Sequence, residues 1–130
     1  MILLDTSVLV DLPELELPAE IMAFSAISYA ELKLGLEMRS SPEVRAKRHT
    51  DFMFLERAGL EWLPFDRAAG DGYGVVAAEV HRTRPAHARS KDIMIAGHAY
   101  SLGASLATLN PKDFELVRDL VPIIVPEFKR

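Results

Sequence analysis

Short, largely apolar runs recur between longer amphipathic tracts, and this alternation constrains the fold more than any other feature of the chain. The runs fall at residues 2–4, 24–27, 62–65, 104–109 and 121–125. Each is too brief for a buried helix and suits a strand covered on both faces. The tracts between them have helical content. Residues 29–38 alternate Leu32, Leu34, Leu36 and Met38 with charged neighbours, but length and Ala/Glu/Leu/Lys content favour a helix over a strand. Residues 43–58 end at Gly59, and residues 92–102 end at Gly103, the usual stop for a helix. Residues 67–82 supply a further helix, cut off from the next by Pro85. Between Asp5 and Phe24, Pro13 and Pro18 leave room only for a short helix. Strand–helix alternation of this kind predicts an α/β fold with a largely parallel sheet covered on both faces.

Composition bounds the rest. At 130 residues, with 49% hydrophobic and 26% charged residues, the chain is expected to form one globular domain over 1–130. It has no cysteine, which excludes disulfides, thiolate metal sites and cysteine nucleophiles. No apolar run approaches the ~20 residues a membrane helix needs, and Met1 lacks the basic flank of a secretory signal. A cytoplasmic protein without membrane contact is therefore expected. The net charge of −4 is not that of a protein held on nucleic acid by charge alone. Basic residues do cluster at Arg82, Arg84, His87, Arg89 and Lys91, and again from Arg39 to His49. On charge alone, both clusters read as solvated loop or helix faces.

The acids are placed more tellingly. Asp5 ends the first strand, Glu31 follows the second, Asp92 opens the helix before the fourth, and Asn110 and Asp113 follow the fourth. In a parallel sheet the strand-to-helix turns emerge on one edge, where ligands bind. Singly, each position also suits a helix cap. Asp5 can be an N-cap, Ser28-Tyr29-Ala30-Glu31 fits a capping box, Ser90 can cap the helix holding Asp92, and Asn110-Pro111 reads as a cap with proline behind it. Together they are less easily dismissed, because carboxylates gathered on one rim repel each other. A divalent cation removes that cost, and an all-oxygen donor set suits magnesium or manganese better than zinc. The four histidines make no rival site, and no H-E-x-x-H, G-x-S-x-G, P-loop or G-x-G-x-x-G pattern is present. The Gly70-Asp71-Gly72-Tyr73-Gly74 stretch reads as a weak spot in a helix or a helix start.

Four segments in register resemble the motifs of the PIN-domain family. These are Leu4-Asp5-Thr6-Ser7-Val8-Leu9-Val10, then Ser28-Tyr29-Ala30-Glu31-Leu32 with Gly35, then Lys91-Asp92-Ile93-Met94-Ile95-Ala96, then Thr108-Leu109-Asn110-Pro111-Lys112-Asp113-Phe114. They span positions 4 to 114, and the small single-domain form is similar to the VapC-type toxins of toxin–antitoxin pairs. The resemblance implies a three-layer α/β/α sandwich with a mostly parallel, about five-stranded sheet. It implies a magnesium- or manganese-dependent endoribonuclease, paired with a cognate antitoxin and forming homodimers. Carried over, Asp5 and Asp92 are the firmest metal ligands. Glu31 binds a second metal or orients the attacking water. Many relatives hold an aspartate where this chain has Asn110, so Asp113 is the other candidate to complete the catalytic set. Thr6 and Ser7 are candidates to hydrogen-bond a metal-bound water or a phosphate oxygen, and Arg82, Arg84, Arg89 and Lys91 to contact phosphates.

Other classes stay open at this stage. A haloacid-dehalogenase-like phosphatase needs a second aspartate where this chain has Ser7. A receiver-like signalling domain would use Asp66 as phospho-acceptor and Lys129 after the last strand, but needs an acidic pair after the first. A PIN-like domain that binds RNA or a partner without catalysis is the remaining alternative. Leu34, Leu36, Met38, Phe52, Met53 and Phe54 exceed what one helical face buries. Most are expected in the core, the remainder in a partner groove.

Overall fold

The computed structural model describes residues 1–84 and 90–130. In chain order it contains β1 (Ile2–Leu4), α1 (Thr6–Leu9), β2 (Leu15–Glu16), β3 (Met22–Ser25), α2 (Ala26–Glu37), α3 (Pro42–Arg57) and β4 (Trp62–Leu63). Then follow α4 (Arg67–Thr83), α5 (Ser90–Leu102), β5 (Ser105–Ala107), β6 (Ile123–Ile124) and β7 (Glu127–Phe128). Two 3-10 segments, Leu12–Glu14 and Pro111–Val117, join them, each with a proline in its first turn.

The five expected strands form one sheet in the order β4-β3-β1-β5-β6, and every pair in it is parallel. β1 is central, and its side chains alternate across the sheet. Leu3 packs with Ala23, Leu106, Val76, Ile95 and Phe114 under α4 and α5. Ile2 and Leu4 pack on the other face with Val8, Leu9, Phe24 and Leu55 from α1, β3 and α3. The result is the expected α/β/α sandwich. All three β1 side chains are fully buried, each worth roughly 1.5–3 kcal/mol relative to exposure.

Local chemistry sets the helix boundaries. Ser25 caps α2 by accepting a hydrogen bond from the Ile27 amide at 3.1 Å. That starts the helix at Ala26, so Ile27 is helical rather than the end of a strand. Ser28 lies inside the helix, which overturns the capping-box reading of Ser28 and Glu31. At the other end, Arg48 donates to the Gly35 carbonyl at 3.0 Å and the Ser40 hydroxyl at 2.7 Å, pinning α3 to the last turn of α2. Gly59 and Gly103 both take positive φ, as their place after α3 and α5 requires.

Three features depart from the sequence reading. β2 and β7 form a separate antiparallel ladder, pairing Leu15 with Phe128 and Glu16 with Glu127. Leu34, Met38, Met53 and Phe54 are exposed rather than core, because the opposite sides of α2 and α3 are the ones that meet the sheet. Gly72 lies deep within α4 and is not a weak point. A Cβ there would stand 2.2 Å from the Gly97 carbonyl oxygen, and one on Gly97 would stand 2.5 Å from the Tyr73 Cα. The two glycines let α4 and α5 cross backbone to backbone.

Candidate active site at the carboxyl edge of the sheet

Strand order reverses beside β1. The chain steps outward from β1 to β3 and β4, then returns to place β5 on β1's other side. Such a switch point opens a crevice beyond the strand ends. A cleft of about 530 Å³ lies there, lined by Asp5, Thr6, Ser7, Glu31, Lys91, Asp92, Asn110 and Asp113. Residues from four separate parts of the sequence thus meet at one edge. Asp92 reaches it because α5 starts at that edge and runs back to β5.

Asp5 follows β1 directly, is 7% exposed, and stands at the N-cap of α1 without capping it. Its carboxylate is held instead by two hydroxyls on the same oxygen. Ser7 Oγ and Thr108 Oγ1 each donate to Asp5 Oδ2 at 2.9 Å. Both hydroxyls are themselves fixed by backbone amides. Leu109 N–H donates to Ser7 at 3.0 Å, and Asn110 N–H donates to Thr108 at 3.0 Å. The backbone is tied too, with the Asp5 amide donating to the Ala107 carbonyl at 2.9 Å. The end of β5 and the end of β1 are therefore clamped together through one carboxylate.

Glu31 sits in α2, with its side chain about a quarter exposed. Thr6 Oγ1 donates to its Oε1 at 3.2 Å, and Lys91 Nζ lies 3.8 Å from its Oε2. Burial pushes the Glu31 carboxyl above the ordinary carboxylate range; Lys91 and the Thr6 hydroxyl pull it back, and the Asp5 charge adds to the rise. Asn110 heads the second 3-10 segment, again without a side-chain capping bond, and Asp113 lies in its first turn. The capping readings of Asp5 and Asn110 therefore have no hydrogen bond behind them.

Of the other named residues, Arg84 and Lys91 border the cleft region, and Arg82 pairs with Glu79 at 3.2 Å. Arg89 and His87 lie outside the described residues, as does the side chain of Ser90 with its capping reading. Asp66 caps α4 by accepting from the Ala69 amide at 3.0 Å, and Lys129 donates to the Pro13 carbonyl at 3.1 Å. These engagements remove the support for a receiver-like site. His98 is buried, with Nδ1 2.9 Å from Ser25 Oγ and its ring edge-on to Phe65. Burial lowers its pKa, with Asp66 opposing the shift.

Thr108 is the residue that sequence reasoning missed. Its signal was a hydroxyl near the end of a mostly apolar run. Ser28 offers a second buried hydroxyl, the one buried side-chain polar atom without a hydrogen-bond partner among the described residues.

The donor set is all oxygen: carboxylates and a carboxamide, with no imidazole or thiolate. That matches a hard divalent cation. Among the described residues no three acidic or histidine side chains close into a ready-made cage. Magnesium does not need one, because it keeps several waters and takes one or two carboxylates.

No family model matches the chain. It is 34% identical over 100 residues to the tRNA(fMet)-specific endonuclease VapC of Shigella flexneri, covering 76% of this chain and 71% of that protein. Among solved structures it superposes on DNA-bound VapBC from Salmonella typhimurium with a TM-score of 0.72 at 30% identity, covering 95% of this chain and 96% of that one. VapBC-5 from Mycobacterium tuberculosis gives a TM-score of 0.76 at 24% identity, covering 95% and 94%. No helix among the described residues is long and apolar enough to cross a membrane.

Proposed function

The chain belongs to the VapC family of PIN-domain toxins, and on that premise we propose that it is a divalent-metal-dependent endoribonuclease. The observation that carries the reading is the acidic cleft at the switch point beside β1. We read residues 1–130 as one catalytic domain, acting in the cytoplasm as the toxin of a toxin–antitoxin pair. RNA is the substrate, a cognate antitoxin is the inhibitor, and the protein works as a homodimer. The exposed apolar side chains of α2 and α3, Leu34, Met38, Met53 and Phe54, support the expectation of protein partners.

Asp5 and Asp92 would hold magnesium or manganese, with Asn110 and Asp113 completing the oxygen donors. When bound, the cation lowers the pKa of water and offsets charge developing on the phosphate. Ser7 and Thr108 keep Asp5 in one orientation by occupying its Oδ2. Glu31, with its raised pKa, orients the attacking water and accepts its proton. Water attacks phosphorus in line, the P–O3′ bond breaks, and the products carry a 5′-phosphate and a 3′-hydroxyl. Lys91 tempers the negative potential that would otherwise repel the RNA backbone.

The test uses purified wild-type and Asp5→Asn protein, free of antitoxin, with total cellular RNA. Cleavage by wild type in magnesium or manganese, lost in EDTA and lost in Asp5→Asn, supports the reading. Equal cleavage by the two proteins would remove Asp5 from the site.

A further inference from the structure

A smaller cavity of about 190 Å³ opens beside the acid cleft, and Asp92 and Asp113 line both. Its floor is core: Val80, Ile93, Phe114 and Val117 are buried, with Leu116 half-buried among them. Its rim carries two exposed cations from separate elements. Arg84 follows α4, and Lys112 sits in the second 3-10 segment, with the carboxylate of Glu115 nearby. Neither the apolar floor nor the two cations are needed to hold a metal at Asp5.

We infer that this cavity is a nucleotide subsite, seating one base of the RNA strand next to the phosphate being cut. The inference rests on the ribonuclease reading and assigns the strand a path away from the acids. Size fits one ring system, since an apolar cavity of about 150 Å³ accepts benzene. Chemistry fits a base rather than a free anion. The apolar floor takes a ring face without regard to sequence. Asp92, Asp113 and Glu115 oppose an anion that brings no other contact, whereas Glu115 accepts a hydrogen bond from a base amino group. Arg84 and Lys112 then meet the flanking phosphates, as charge complementarity requires. Continuity fits as well. A strand leaving the cleft past Asp92 and Asp113 enters this cavity directly.

The test measures binding by fluorescence anisotropy in the Asp5→Asn protein, which leaves RNA intact. The probes are a short labelled oligoadenylate and an abasic ribose-phosphate chain of equal length. The parent protein should bind the base-bearing chain about tenfold more tightly. Leu116→Trp, which fills the cavity, should abolish that preference while sparing affinity for the abasic chain. Arg84→Ala with Lys112→Ala, both at exposed positions, should weaken both probes and flatten the salt dependence. Melting curves confirm that each variant is folded. A base preference that survives Leu116→Trp overturns the subsite, as does the absence of any preference in the parent. Wild-type cleavage of cellular RNA is followed in parallel. RNA cut without base preference fails the subsite alone. Base-dependent binding without metal-dependent cutting fails the nuclease reading and leaves the cavity standing.

Discussion

Replacing Thr108 with valine tests how the site is held, because the change deletes one hydroxyl and keeps the shape. Thr108 is fully buried. It donates to the Asp5 carboxylate at 2.9 Å and accepts from the Asn110 amide at 3.0 Å. A hydrogen bond to a charged group is worth about 1.5–3 kcal/mol, and an orphaned amide adds to the loss. Valine's extra methyl recovers a part of this through burial. The expected destabilisation is therefore about 2–3 kcal/mol by urea denaturation with wild type alongside. Thr108→Ser keeps the hydroxyl and loses a methyl, which costs about 1 kcal/mol. Cleavage separates the two further. Loss of a residue that orients a ligand carboxylate costs about 10–100-fold in activity or metal affinity, so Thr108→Val should fall in that range and Thr108→Ser should stay near wild type. Two results refute the reasoning. One is a Thr108→Val protein within about 0.5 kcal/mol of wild type, the spread of an inert surface change. The other is a Thr108→Ser protein as inactive as Thr108→Val.

Three more outcomes are expected. Gly72→Ala should lower stability by more than about 2 kcal/mol, since its Cβ meets the Gly97 carbonyl; Gly74→Ala, in the same helix with open space around it, should raise stability by up to about 1 kcal/mol in the same thermal melts. Burial holds the Glu31 carboxyl above the ordinary carboxylate range, so its stability contribution is complete below that range and is lost as pH rises through the folded pKa; Glu31→Gln should flatten this part of the stability–pH curve, and an unchanged curve would count against a desolvated carboxylate. His98 has a folded pKa below 6.5, so folding stability should fall as pH drops below 6.5, and His98→Ala should lose that slope even as it loses stability overall.

The five parallel strands were legible because strands buried on both faces are near-continuous apolar runs with few polar residues. Asp5, Glu31, Asp92, Asn110 and Asp113 were legible as a group because a parallel sheet brings its strand ends to one side. Ile27 misled, since an apolar residue carries no sign that Ser25 two positions earlier caps a helix. The β2–β7 ladder was invisible: two residues on each side make no periodic pattern, and the partners lie far apart in sequence. The Gly72–Gly97 crossing left no local trace either, because it depends on how two helices approach. Thr108 was quoted within a motif, yet its work depends on the tertiary pairing of β1 with β5.

That pairing has a consequence for the order in which the chain is made. Ile2 lies against Ser105, and Leu4 against Ala107. A ribosome releases β1 first and its second neighbour only after some hundred further residues. Until then the central strand has one free edge, and Asp5 lacks the hydroxyl of Thr108. Such long-range closure is slow and comes late. The nascent chain therefore cannot assemble the acidic cleft before Asp92, Asn110 and Asp113 have been made. The hazardous activity proposed for this protein is withheld by topology through most of the chain's synthesis, before any inhibitor has to act.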